Sequence, residues 1–250
     1  MKSRPDLLHH GLRLALLLLL CVAALQAVFG LRIALMAVLD PQSTSFQRSE
    51  ARRLLVEKHH LAWSQDWVDS AAISSQLKRA VIASEDAAFT EHGGIDWDAV
   101  EKAWDKNQRA EQRVKRSGPN GAPRAASVKV VGGSTITQQL AKNLFLSGER
   151  TVLRKAQEMV LTLMLETLLP KARILEIYLN NVEWGEGVFG AQAAARHYFH
   201  VDAARLGAEP AARLAVMLPA PKRFEKNPGS AYVSGRAVTI MARMPAVALP

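Results

Sequence analysis

The sequence predicts a mainly α-helical domain preceded by one transmembrane helix. Three observations carry this. Leu14 to Leu31 is an uncharged run bracketed by Arg13 and Arg32. Beyond residue 70, apolar side chains recur at helical spacing, and no long alternating run signals a strand. A capping-box pattern at Thr135 and the stops at Pro170, Pro219 and Pro221 divide the chain into helix-sized pieces.

In order along the chain, residues 1–13 are the expected cytoplasmic N-terminus and 14–39 the anchor. As a helix the uncharged run is roughly 27 Å long, close to the thickness of a bilayer core. Ile33 to Leu39 extends it, with Arg32 snorkelling to the interface. Lys2, Arg4 and Arg13 precede the run, so the positive-inside rule sets the N-terminus in the cytoplasm and everything after residue 40 outside. A cleaved signal peptide has a shorter apolar region and a small-residue cleavage site, and Leu25-Gln26-Ala27 is a poor one. A buried core helix is disfavoured because Leu16 to Leu20 offers water no polar face. Residues 40–62 read as a polar linker that passes into a helix leading to Trp63, and residues 63–250 as the domain.

Within that domain, Ile73, Leu77, Val81 and Ile82 define a helix that ends at Glu85-Asp86, where the helix dipole disfavours carboxylates. Residues 102–131 read as a basic loop, and Ser117 to Ser127 is loop-forming by composition. After Gly132-Gly133 a helix opens at Thr135. Ser134, Gln138 and Lys142 share one face of it, while Ile136, Leu140 and Leu144 face the core. Thr151 to Leu169 is apolar nearly all round, so burial is expected, yet its first half carries Arg154, Lys155 and Glu158. Both cations can reach that carboxylate, at i,i+4 and i,i+3. Helices follow over Lys171 to Asn180, Ala191 to Phe199 and Glu209 to Leu218, with Gly185, Gly187 and Gly190 in a loop between the first two.

The net charge is +9. It is densest between Lys102 and Lys129, where only Asp105 and Glu111 oppose the basic residues. A basic patch can bind nucleic acid. On the outer side of a membrane it reads first as a solvated loop, and otherwise fits anionic headgroups or a pyrophosphate-bearing substrate, so no nucleic-acid partner is expected. Cys21, the single cysteine, sits in the apolar run, which excludes a disulfide framework and a cysteine metal site. No His-Glu-x-x-His pattern and no glycine-rich nucleotide fingerprint occurs.

Two carboxylates in polar motifs, Glu85 and Glu158, point to glycosyl chemistry, in which one group moves a proton while another serves the leaving group. Taken singly the motifs are modest. A basic pair beside a glutamate is usually an ion pair, and His92 is read as a histidine that orders its turn. In sequence they are specific: Glu85-Asp86-x-x-Phe89-x-x-His92-x-Gly94, Gly132-Gly133-Ser134-Thr135-Ile136-Thr137-Gln138-Gln139, Arg154-Lys155-x-x-Glu158, Lys171-x-x-Ile174-Leu175-Glu176-x-Tyr178-Leu179-Asn180, and Leu218-Pro219-x-Pro221. Over about residues 75 to 225 this resembles the biosynthetic peptidoglycan glycosyltransferases, family 51, the fold also found as the N-terminal domain of bifunctional penicillin-binding proteins.

The resemblance implies a lysozyme-like helical fold and polymerisation of lipid II into glycan strands at the outer face of the bacterial inner membrane. It implies Glu85 as the base that deprotonates the attacking sugar hydroxyl, with inversion at the anomeric carbon. Lys142, Arg150, Arg154 and Lys155 would stabilise the departing polyprenyl pyrophosphate. Glu158 would orient those cations or bind a divalent cation such as Mg2+ or Mn2+. Asp86, Phe89, Ser134, Gln138 and Gln139 would contact substrate. No organic cofactor is expected, because the pyrophosphate link supplies the activation. Expected partners are lipid II, the growing strand, the inner membrane and other cell-wall synthesis or division proteins. The chain ends at Pro250, before room for a transpeptidase domain, so it looks monofunctional. Ser75-x-x-Lys78 matches an acylation motif by coincidence, since no Lys-Thr-Gly or Ser-Asp-Asn accompanies it. The segment between Glu85 and Gly132 is long for the family.

Two other functions fit the residues less well. A lysozyme-type hydrolase or lytic transglycosylase would have no pyrophosphate for the cations to bind, and a non-catalytic divisome scaffold would not need the carboxylate pair. The anchor carries no candidate catalytic group, so the domain is expected to fold without residues 1–40.

Overall fold

A computed structural model describes residues 5–116, 133–149 and 151–250, and the chain is mainly helical there. Helix α1 (Pro5–Leu35) contains the apolar run and is long enough to cross a membrane over His9–Leu35. Residues 9–25 are exposed, and Gln26 is the next residue along the helix to be partly covered by the rest of the protein.

The join between anchor and domain contains the helix expected before Trp63, but it is packed against the domain rather than a polar linker on its surface. Ile33 is fully buried and Met36 nearly so, both in the same apolar core as the catalytic-region helices. The Arg173 guanidinium donates to the carbonyls of Met36 and Leu39 and pairs with Asp40. Helix α2 (Ser45–Arg53) starts at a capping box formed by Thr44 and Gln47, and Thr44, Gln47, Glu50 and Leu54 are all buried. Residues 40–62 therefore contain a packed helix whose polar side chains point inward. Composition hid this because the buried groups are polar and satisfied across the fold: Gln47 donates to Asn181, and Lys222 reaches Glu50.

The core forms around α3 (Ser75–Glu85), packed on α9 (Ala208–Met217) and α11 (Ala231–Arg243). Alongside it, α5 (Ile136–Phe145) packs on α6 (Val152–Leu168) and α7 (Lys171–Asn181). Ile136, Leu140 and Leu144 of α5 are all buried, as their spacing predicts. The Gly185–Gly190 stretch is more regular than a loop. Strands β2 (Glu183–Gly185) and β3 (Val188–Phe189) pair antiparallel, and β1 (Ser64–Gln65) adds in parallel to β3. Gly187 sits at φ +74°, and a Cβ there would strike the Ala62 carbonyl, so the tight turn of this hairpin requires glycine. Helix α8 (Ala191–Phe199) follows, and the short α10 (Pro221–Phe224) leads into α11.

Two further expectations change. The basic segment expected as a loop over 102–131 is helical in its first half, within α4 (Trp97–Arg116); residues 117–132 lie outside the described residues. The helix is strongly amphipathic, with Trp97, Val100 and Trp104 exposed at i, i+3 and i+7. Helix α6 is not buried all round. Val152 and Leu153 are 87% and 83% exposed, and Val160, Leu163 and Leu168 are also open. Leu153, Gln157, Val160, Met164 and Leu168 recur at i+4, i+3, i+4 and i+4, so they line one face, and α1 packs against that helix. The buried face carries Glu158, Leu161, Thr162 and Leu165.

Candidate active site

Glu85 occupies the last position of α3, and Asp86 caps the helix with its own N–H bonded to Ile82. The Gln139 amide of α5 donates to Glu85 Oε2 at 3.0 Å, and the Tyr178 hydroxyl of α7 donates to Gln139 Oε1 at 3.0 Å. The order Tyr178–Gln139–Glu85 fixes which end of the amide faces the carboxylate. Burial raises the Glu85 carboxyl above its usual value. The Gln139 and Ser84 hydrogen bonds pull it back down, and neighbouring Asp86 raises it again. Tyr178 is fully enclosed, and burial pushes its hydroxyl well above the ordinary range, so it remains a neutral donor.

Asp86 is committed to holding the motif together. Its Oδ2 accepts from the Ile136 N–H at 3.0 Å, at the opening of α5. Its Oδ1 lies 2.8 Å from His92 Nε2. His92 Nδ1 accepts from the Gly94 N–H, so the ring proton sits on Nε2 and is donated to Asp86. His92 orders the turn, as read from the sequence. Gly94, at φ +88°, lies where a Cβ would come within 2.8 Å of Glu166 and Thr162 side chains on α6. Thr135 closes the loop by donating to the Gly94 carbonyl at 2.6 Å. The first and second motifs are thus joined by the start of α5.

Helix α5 also leads to the cations. Gln139 and Lys142 are i,i+3, so they are neighbours on one face, with Cβ atoms about 5–6 Å apart. Lys142 lies within the electrostatic reach of Glu158, Arg154 and Lys155. Its ammonium is lowered by desolvation and by the two cations, against the pull of Glu158. Arg154 and Lys155 bind the buried Glu158 at 2.9 and 2.5 Å. Arg154 Nε is buried and has no partner among the described residues. A cleft of about 300 Å³ is lined by Lys142, Asn143, Ser147, Glu149 and Arg154, with Phe46 and Ser49 of α2 on its wall. Glu85 opens onto two others. One of about 270 Å³ includes Asp86, Asp96 and Ser134. The other, of about 720 Å³, is lined by Arg223, Phe224, Asn227, Tyr232 and Arg236.

Some expected contacts lie elsewhere. Phe89 is fully buried beneath the Lys171 ammonium, 4.5 Å from the ring centroid, and presents no surface to a substrate. Gln138 is buried in the capping box, where its side chain accepts from the Thr135 N–H. Ser134 precedes the helix and is exposed, so it does not share a helical face with Gln138. Arg150 lies outside the described residues. Each Glu158 oxygen already pairs with a cation, Arg154 or Lys155, so a divalent cation there would meet two positive charges. Asp86, His92 and Asp96 are close enough to share an ion. Yet both nitrogens of His92 and both oxygens of Asp86 are hydrogen-bonded, and Asp96 Oδ1 accepts from Ala99. Committed to these bonds, the three residues do not fit a metal ion.

Sequence reading did not give roles to Tyr178, or to Arg223, Tyr232 and Arg236. Tyr178 carried a signal: it is a hydroxyl on the otherwise apolar face of Ile174, Leu175 and Ile177. The three residues on the far cleft carried one only through the unrecognised helix α11.

A mainly helical domain in which one helix bonds a carboxylate of raised proton affinity through Gln139 and carries Lys142, a turn further on, toward a group of cations has the equipment of a glycosyl-transfer enzyme. A family model described as Transglycosylase matches residues 53–245, and the chain belongs to that family. It is 49% identical to the biosynthetic peptidoglycan transglycosylase of Bordetella pertussis over 232 residues, 92% of this chain and 91% of that one. To the protein of the same name from Paraburkholderia phytofirmans it is 46% identical over 248 residues, 99% and 97% of the two chains. With that of Janthinobacterium sp. it shares 50% over 232 residues, 92% and 93%. The protein is a glycosyltransferase of peptidoglycan synthesis.

Proposed function

We propose that this protein polymerises lipid II into glycan strands by inverting transfer, with undecaprenyl pyrophosphate as the leaving group. The observation that carries this reading is the single helix α5, which presents Gln139 to Glu85 and, three residues on, Lys142 to the Arg154–Lys155–Glu158 group. A sugar hydroxyl is a weak nucleophile at neutral pH. Glu85 takes its proton as the hydroxyl oxygen bonds to the donor C1. The C1–O bond to the pyrophosphate breaks with its electron pair going to the leaving group. Negative charge grows there, and Lys142, Arg154 and Lys155 meet it with charges already in place. Arg154, whose Nε has no partner among the described residues, lines one cleft with Lys142, which supports an anion at this position. Glu158 holds the two cations against their mutual repulsion.

In this reading α1 is a single-pass anchor in the inner membrane with the N-terminus cytoplasmic and the catalytic domain periplasmic, supported by the basic residues before the apolar run. Both substrates then share the bilayer with the enzyme. The test is incubation of the detergent-solubilised full chain with labelled lipid II. Polymer is expected, and Glu85→Gln should reduce its rate roughly 10²–10⁴-fold without lowering the melting temperature. Release of short sugars in place of polymer would support a hydrolase, and an unimpaired Glu85→Gln would remove Glu85 from the base's role.

A further inference from the structure

The apolar run of α1 contains one amide, Gln26, and the structure gives it a partner. Gln26 Nε2 donates to Gln157 Oε1 at 2.9 Å, and Gln157 Nε2 donates back to Gln26 Oε1 at 3.0 Å. After the exposed stretch 9–25, this is where α1 becomes covered by the rest of the chain. Gln26 precedes Arg32 by six residues, about 9 Å along a helix, so the pair lies inside the apolar run. Phe29 and Ile33, at i+3 and i+7, continue the same face. Phe29 meets Phe145 edge-on at 5.4 Å, Arg32 lies over the same ring, and Ile33 is fully buried. An amide in hydrocarbon is costly unless paired, and a reciprocal amide pair has one register, which apolar packing alone does not impose.

Gln157 adjoins Glu158 in sequence and lies two and three residues after Lys155 and Arg154. The register of α1 on α6 therefore fixes how far the cation group stands from the membrane surface.

We propose that Gln26 is a positioning residue: its paired amide with Gln157 docks the anchor in one register on α6 and sets Arg154 and Lys155 at the height of a membrane-held pyrophosphate. This rests on the reading of those cations given above. Gln26 touches no reacting atom, and a donor whose short tail leaves it free in solution has no fixed height to match. Loss of the pair should therefore matter only for a donor held in the bilayer.

The test uses the full chain in vesicles with long-chain lipid II, and in detergent with a short-chain soluble analogue. Gln26→Leu and Gln157→Leu should each lower turnover in vesicles roughly tenfold. The double variant should lose no more than either single one, because the two amides act as one unit. All three should keep turnover of the short-chain analogue within about twofold. Equal losses on both substrates, losses that multiply in the double variant, or no loss in vesicles would each overturn the proposal. Gln26→Ala and melting curves guard against a variant that misfolds. Lys155→Ala is run beside them. If it is fully active on both substrates, the pyrophosphate reading fails; if it is impaired on both while the glutamine variants are not, only the positioning role fails.

Discussion

Gln139 sits between a neutral phenol and a carboxylate, and its hydrogen bond offsets part of the rise in proton affinity that burial imposes on Glu85. Its hydrogen bond favours the ionised carboxylate, so Gln139→Ala should raise the Glu85 pKa further. The base must be ionised to act, so the acid limb of the kcat–pH profile should move to higher pH, with much of the rate recovered in alkaline buffer. An acid limb that stays in place in a folded variant would separate Gln139 from the base. Lys155→Ala and Arg154→Ala should each lower kcat on the order of 10²-fold through lost charge at the leaving group. Arg154 is the more enclosed of the two, so its loss should also reduce the melting temperature, whereas half-exposed Lys155 should lose activity with little change in the melt. The sequence revealed the Arg154–Lys155–Glu158 group because its members share one helix and their spacing alone brings them together. It did not reveal the Glu85–Gln139 bond, which joins residues 54 apart, nor the turn of Gln138 and Phe89 into the interior. Motif membership marks a residue as required without saying whether the substrate or the core requires it.

At the level of elements, α3, α5, α7, α8 and α9 followed from apolar spacing and caps. Helix α11 had the same signal in Val233, Ala237 and Ile240, all buried, but went unread behind the prolines that precede it. The hairpin of β2 and β3 was hidden for a different reason: its strands are too short for alternation to show, and the third strand, β1, comes from a distant part of the chain. That hairpin carries a buried acid. Burial raises the Glu183 carboxyl to about 7. Lys222 opposes the shift, and Glu50 and Glu225 add to it. Between its unfolded value of 4.5 and about 7 the folded state holds a proton that the unfolded state has released, so stability falls as pH rises through this window. Glu183→Gln should remove that dependence. Its melting temperature should match the parent near pH 5 and exceed it near pH 8, by an amount corresponding to at most about 3 kcal/mol. A variant less stable than the parent at pH 8 would mean that the Lys222 contact at 3.5 Å outweighs the cost of burial.

For the whole molecule, the boundary between anchor and enzyme is not where hydropathy sets it. An apolar helix near the N-terminus reads as one object, and a window of hydropathy cannot distinguish side chains facing lipid from side chains facing protein. Ile33 and Met36 belong to the core, and Arg173 holds the carbonyls of Met36 and Leu39. Cutting after residue 40 therefore removes part of the domain, contrary to the expectation from sequence. Burying an Ile or Met side chain contributes roughly 1.5–3 kcal/mol. Losing both takes about 3–6 kcal/mol from a fold whose total stability is on the order of 5–15 kcal/mol. A chain beginning at Leu25 keeps Gln26, Phe29, Ile33 and Met36 and sheds the stretch whose residues 9–24 are exposed. In detergent it should melt close to the full chain and turn over lipid II at a similar rate. A chain beginning at Pro41 should melt on the order of 10 °C lower. Its activity should fall with the fraction folded, since Arg173 lies on α7, three positions before Glu176 and five before Tyr178, and anchors the helix that supports Gln139. Equal melting temperatures for the two truncations would show that the core closes without α1, and the boundary would return to residue 40.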